Sequence, residues 1–177
     1  MGWGFVMWKL PMGWAVVVAA GLVLAGGSAT ADPASDVREV DWPNAEFVVP
    51  AVGPCPQQVV DFTGGAAEAG GWVYRLTPER QVEFADVTGE GVVDALILVE
   101  CGPPNSEYSR ALVAMTEGPQ PLGTVVSPSV WTQVPDGFTV HDGEISVRIE
   151  DFDTGGSWTE RYRWAQSARA FVRVDGS

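Results

Sequence analysis

The sequence predicts a mainly β domain, a sandwich or a barrel-like antiparallel meander, following an N-terminal signal peptide. Three observations carry this. Short apolar or alternating runs recur along residues 40–177, separated by Gly, Pro, Asp and Asn. No stretch keeps a helical period for three turns. The dipeptide Asp142-Gly143 separates two alternating runs, which is the signal of a two-residue hairpin because both residues tolerate positive φ.

The strands expected from these runs are, in order, 46–49, 57–62, 72–76, 82–86, 92–100, 109–115, 122–126, 138–141, 144–150, 159–165 and 170–174. Each rests on its own pattern. Phe138-Thr139-Val140-His141 and Glu144-Ile145-Ser146-Val147-Arg148-Ile149 alternate on either side of Asp142-Gly143. Val92–Val99 is apolar on both faces, as a central strand requires. Residues 109–116 also read as a short helix, cut off by Gly118-Pro119. Trp164 and Phe171 flank Gln166-Ser167-Ala168 and predict a C-terminal hairpin, with Tyr162 and Val172 continuing its strands. No repeat of propeller or solenoid length is visible.

Residues 1–31 read as a signal peptide. Lys9 precedes an apolar core, Trp14–Ala25, which is shorter than the ~20 residues of a membrane span. Small residues Ala29 and Ala31 sit at −3 and −1 of a cleavage point after Ala31. The expected location is secreted or on the cell-envelope exterior, with membrane contact only through an uncleaved signal. Residues 32–39 read as a flexible acidic leader, and 40–177 as a single all-β domain.

Of the 177 residues, 23 are acidic and 10 basic, for a net charge of −13. Removal of the signal takes away Lys9 and leaves every remaining basic residue an Arg. A chain this acidic is a poor candidate for nucleic acid or anionic lipid, and suits cations, basic partners or simple solubility. Two cysteines, Cys55 and Cys101, in an exported protein are expected to pair. A metal site built on them lacks partners, since His141 is the single histidine.

The best site-like segment is Asp86-Val87-Thr88-Gly89-Glu90-Gly91-Val92-Val93-Asp94. It offers oxygen at positions 1, 3, 5 and 9, with Gly at position 6. Calcium takes six to eight hard oxygen ligands, and such a loop can wrap it. Asp86, Glu90 and Asp94 supply carboxylates, Thr88 a hydroxyl and Val92 its carbonyl. Position 12 is Ile97 rather than Glu, so this is not an EF-hand. The bland alternative is a turn rich in residues that turns favour. The strand–loop–strand setting resembles the calcium loops of FG-GAP/VCBS-type repeats, with Thr88 and Glu90 departing from their Asp-x-Asp-x-Asp-Gly-x-x-Asp pattern. The resemblance covers about sixteen residues and one copy, so it implies calcium but no propeller. A wider pattern resembles uncharacterised secreted actinobacterial proteins. It consists of Asp41-Trp42-Pro43-Asn44-Ala45, the first Cys at 55, this loop, the second Cys after its strand, and a terminal Arg-Trp…Phe-Val-Arg. That resemblance implies export and pairing of the cysteines, and supplies no activity.

No catalytic constellation emerges. Asp153-Thr154-Gly155 matches the aspartic-protease signature, but in one copy and 24 residues from the end. His141 beside Asp142 has no Gly-x-Ser-x-Gly elbow to serve. Glu150, Asp151 and Asp153 read as a solvated edge. Among the tryptophans, Trp72 and Trp164 are assigned to packing. Trp131 and Trp158 lie in polar, turn-rich surroundings and are the surface-binding candidates. The leading expectation is a monomeric, non-catalytic binding domain, calcium-stabilised through the 86–94 loop, for an extracellular protein or glycan. The alternatives are a small extracellular hydrolase using acidic residues, and an inhibitor or stabiliser of another secreted protein.

Overall fold

The structure is a computed structural model and describes residues 36–77 and 82–176. The signal peptide and residues 32–35 of the leader lie outside the described residues. The described residues belong to one compact unit.

Twelve strands run β1 (Glu46–Val49), β2 (Gln58–Asp61), β3 (Ala66–Ala69), β4 (Trp72–Leu76), β5 (Glu83–Ala85), β6 (Asp94–Gly102), β7 (Ser109–Thr116), β8 (Gln120–Val126), β9 (Gln133–His141), β10 (Glu144–Asp151), β11 (Gly156–Ala165) and β12 (Ala170–Arg173). All pairings are antiparallel. They form a two-stranded sheet β1-β2, a four-stranded sheet β12-β11-β10-β9, and a six-stranded sheet in the order β3-β4-β6-β7-β8, with β5 on β6. Among the described residues no barrel closes, so the sandwich form of the expectation is the one adopted.

β6 is the axis of the molecule. It alternates two apolar sets, as a strand buried on both faces must. Ala95, Ile97, Val99 and Cys101 join one core with Phe47, Val60, Phe62 and Tyr74. Leu96 and Leu98 join a second core with Ile145, Val147, Ile149 and Tyr162 of the four-stranded sheet. Neighbouring β7 divides in the same way, with Ala111, Val113 and Met115 on the first side and Leu112 and Ala114 on the second. This period of two excludes the helical reading of 109–116.

β4 and β5 pair with successive halves of the same edge of β6, at Leu76↔Val99 and Glu83↔Leu96. The hairpin at Asp142-Gly143 forms as expected, with φ of 49° and 72° and Glu144 paired to His141. In the C-terminal hairpin Trp164 pairs with Phe171, edge to face, centroids 5.1 Å apart.

Three differences from the expected elements have physical causes. β3 was missed because Ala66-Ala67-Glu68-Ala69 has weak strand propensity; it forms because β4 offers it an edge. β9 begins at Gln133 rather than 138, since Pro135 sits at a register shift where no ladder N–H is required. Residues 36–39 are a packed turn rather than a free leader. Val37 is buried in the first core and its carbonyl accepts the Trp42 indole N–H at 3.1 Å.

Candidate functional site

The long strands give the sandwich two ends. β6 starts at Asp94 in the acidic loop and finishes at Gly102, and the steps between its nine residues, about 3.4 Å each, put these ends ~27 Å apart.

At the first end, Asp86 organises the loop. Its Oδ1 accepts the Gly89 N–H at 2.7 Å and the Thr88 hydroxyl at 3.3 Å, and its Oδ2 accepts the Gly91 N–H at 2.8 Å. Partial desolvation pushes the Asp86 carboxyl up, but the Gly91 and Gly89 N–H groups outweigh it and hold the pKa below its ordinary value. Asp94 is fully buried at the start of β6. Its Oδ2 accepts the Val87 N–H at 3.1 Å, while Oδ1 has no hydrogen-bond partner among the described residues. Burial raises its pKa, the Val87 N–H and the neighbouring Thr116 hydroxyl offset part of that, the Asp86 charge adds to the rise, and the Thr88 N–H opposes it. Glu90 behaves differently. Its Oε1 accepts the Gln166 side-chain N–H at 2.9 Å and so ties the loop to the C-terminal hairpin. Within the loop Asp86 holds Thr88 and two glycine N–H groups, Asp94 holds the Val87 N–H, and Glu90 is turned to another element. Among the described residues no three His, Cys, Asp or Glu side chains converge as a metal group.

At the other end, three connections meet: 103–108 after β6, 127–132 before β9, and 152–155 after β10. The disulfide Cys55–Cys101 lies beneath them, both residues buried and their Cα atoms 6.3 Å apart. It fastens the 51–56 turn to the end of β6. Closing 46 residues of chain, it stabilises by up to about 4 kcal/mol in the loop-entropy account. Gly102 is required here by close approach. A Cβ on it would stand 2.5 Å from the Glu107 carbonyl oxygen and 2.9 Å from the Tyr108 ring.

Two adjoining hollows open at this end. The larger, about 790 Å³, is walled by Pro54, Pro103 and Pro128 and by the hydroxyls of Ser106, Ser109, Ser127 and Ser129. The smaller, about 290 Å³, lies among Glu100, Glu107, Tyr108, Arg110, Val134 and Phe152. Trp131 and Glu107 border both. Trp131 is 57% exposed and Phe152 62%. Glu100 and Arg110 face each other across β6 and β7, with Arg110 Nη2 2.6 Å and Nε 3.1 Å from Glu100 Oε1. Arg75 lies over the Tyr108 ring, 4.6 Å from its centroid.

The other surface candidate, Trp158, is held differently. It sits on β11 opposite Ile149, and its indole donates to Glu160 at 2.9 Å. Glu160, almost fully buried, also accepts from the Tyr162 hydroxyl and from Arg173, each at 2.5 Å. Trp158 thus helps satisfy a buried carboxylate. Burial, then the hydrogen bond to Glu160, raises the pKa of the Tyr162 phenol. Asp153-Thr154-Gly155 forms the β10–β11 turn, where Asp151 Oδ1 accepts the Asp153 and Thr154 N–H groups at 3.0 and 3.4 Å. His141 and Asp142 form a solvent-exposed pair, 3.1 Å apart, on the lip of their hairpin.

Sequence reasoning selected Trp131 but not its neighbours. Phe152, Tyr108, Glu107, Glu100 and Arg110 come from three separate connections and two strands, and no local spacing links them. Phe152 carried the strongest signal, a large apolar residue inside a turn. No known protein family, curated protein or solved structure matches the chain.

Proposed function

We propose that this protein is a non-catalytic binding domain working outside the cytoplasm, with its partner held at the disulfide-clamped end and a calcium ion stiffening the opposite end. The observation that carries the reading is the Trp131 indole, more than half exposed on the rim of two hollows. A large aromatic left open at the meeting point of three anchored connections gives contact area at little entropic cost. The buried disulfide is compatible with an oxidising location. Among the described residues no helix is long and apolar enough to cross a membrane.

Calcium enters the proposal through Asp94. A buried carboxylate oxygen without a partner is costly, and a hard cation held between Asp94 and Asp86 would relieve it. The Thr88 hydroxyl and the Val92 carbonyl complete the donor set within this loop. Glu90 is not needed in this arrangement, because Gln166 holds it.

The hydrolase reading finds less support. It needs two facing carboxylates free to act as acid and base. In the smaller hollow Glu100 is committed to Arg110.

The test is to compare binding of the wild-type protein, Trp131→Ala and Trp158→Ala to three immobilised materials: a basic peptide, a chitin oligosaccharide and cell-envelope material. The expected result is binding to one of them that falls at least tenfold in Trp131→Ala and is retained in Trp158→Ala. Binding unaffected by loss of Trp131, or loss confined to Trp158→Ala, would overturn the proposal.

A further inference from the structure

Resting on the reading of Trp131 as a binding surface, we infer that its partner is an extended basic peptide segment, with one Arg side chain seated in the smaller hollow. Three features specify this chemistry.

The first is the aromatic lining. Trp131, Phe152 and Tyr108 border a space of about 290 Å³, the scale of one long side chain. Aromatic faces attract cations through their quadrupole, and a guanidinium stacks on them with its plane as well as its charge. Arg75 already occupies the Tyr108 ring in this way, which leaves Trp131 and Phe152 as the aromatic surfaces open to a ligand.

The second is the charge. Arg110, the one basic residue lining the hollow among the described residues, is taken up by Glu100. Among the described residues Glu107 enters no ion pair, Arg75 on the Tyr108 ring balances it in charge, and the excess acidity comes from the neighbouring turn. The turn that presents Phe152 adds Glu150, Asp151 and Asp153. Asp151 spends its oxygens on the Asp153 and Thr154 N–H groups and on Gln133 Nε2, which orients it without neutralising it. The chain as a whole stands at −13, so a basic ligand is drawn to this rim at long range.

The third is the larger hollow beside it. Its serine hydroxyls offer donors and acceptors to a peptide main chain, and its prolines give walls that lose little entropy on binding. Among the described residues no basic one lines it. A neutral glycan could stack on Trp131 but would gain nothing from the acidic rim. An acidic ligand would be repelled.

The test is calorimetric titration of the purified protein with a blocked peptide of three Arg-Pro repeats, which is already extended. The Gln-Pro and Glu-Pro analogues and chitotetraose serve as controls. The expected result is binding of the Arg-Pro peptide, weakening with salt, and no binding of the Glu-Pro peptide. Trp131→Ala should weaken it about tenfold, and Glu107→Gln by about fivefold. Asp61→Asn, which removes one charge from β2, should change it by less than about twofold. Circular dichroism and melting curves certify that each variant is folded.

Equal affinity in Trp131→Ala and wild type would overturn the inference, because attraction would then be general charge alone. So would Gln-Pro peptide binding as tightly as Arg-Pro. Chitotetraose binding that depends on Trp131, with the Arg-Pro peptide silent, overturns the basic-peptide inference and leaves the Trp131 surface standing. No binding of any probe, together with envelope binding indifferent to Trp131, removes both.

Discussion

Asp94→Asn separates the two roles of the buried carboxylate at the start of β6. Asp94 has no exposure, with one oxygen bonded to Val87 N–H and the other without a hydrogen-bond partner among the described residues, and burial together with the Asp86 charge raises its pKa. The amide keeps an acceptor for Val87 and discards the charge. Its own unpaired N–H₂ costs about as much as the removed charge returns, so in chelator the variant should match wild type to within about 1 kcal/mol. Calcium changes the comparison. At tenfold Kd, an ion that binds only the folded wild type adds about 1.4 kcal/mol. For a domain of roughly 150 residues that is a Tm rise of about 3–6 °C. Scanning calorimetry in chelator, in 1 mM calcium and in 1 mM magnesium reads this directly. Wild type should rise with calcium and rise less with magnesium, which resists a flexible oxygen cage. Asp94→Asn should rise with neither. A wild-type Tm identical in chelator and calcium would refute the reasoning, as would a full calcium response in the variant.

Other consequences follow from neighbouring geometry. Glu90→Gln should keep most of the calcium response, since Gln166 holds that side chain; its loss in the same calorimetry would bring Glu90 back as a ligand. Glu160→Ala should cost about 2 kcal/mol in urea unfolding, because it leaves the buried Tyr162 hydroxyl and the Trp158 indole without their acceptor. The raised Tyr162 pKa sets an alkaline limit: its share of stability is complete below the unfolded value of about 10 and is lost as pH rises from there through the folded value. Tyr162→Phe should therefore flatten the alkaline fall in Tm. Gly102→Ala should drive its Cβ into the Glu107 carbonyl and the Tyr108 ring, lowering Tm in the same calorimetry and weakening binding at the Trp131 end; an unchanged Tm would contradict the close approach.

The β architecture was readable because the longest strands carry their own period. β6 and β7 alternate two apolar sets, and Asp142-Gly143 dictates its turn without tertiary help. β3 was unreadable because four residues with three alanines become a strand only where an edge is offered. The packed turn at Val37 was hidden for a similar reason, since a single apolar residue among charges shows no partner until Trp42 is placed. The acidic loop was legible as a carboxylate cluster, but spacing alone does not reveal that Glu90 reaches 76 residues along the chain to Gln166. The Trp131 end was legible one residue at a time. Its hollows belong to the meeting of three connections, which is a property of topology rather than of any motif.

The two-ended arrangement is tested most directly by amide and indole NMR shifts, with calcium and then the Arg-Pro peptide added to one sample. The account predicts calcium shifts confined to 86–94 and the adjacent Asp142-Gly143 turn. It predicts peptide shifts at the Trp131 indole and in 103–108, 127–132 and 152–155. Calcium shifts absent from 86–94, or peptide shifts scattered over the acidic surface with the Trp131 indole unmoved, would contradict it.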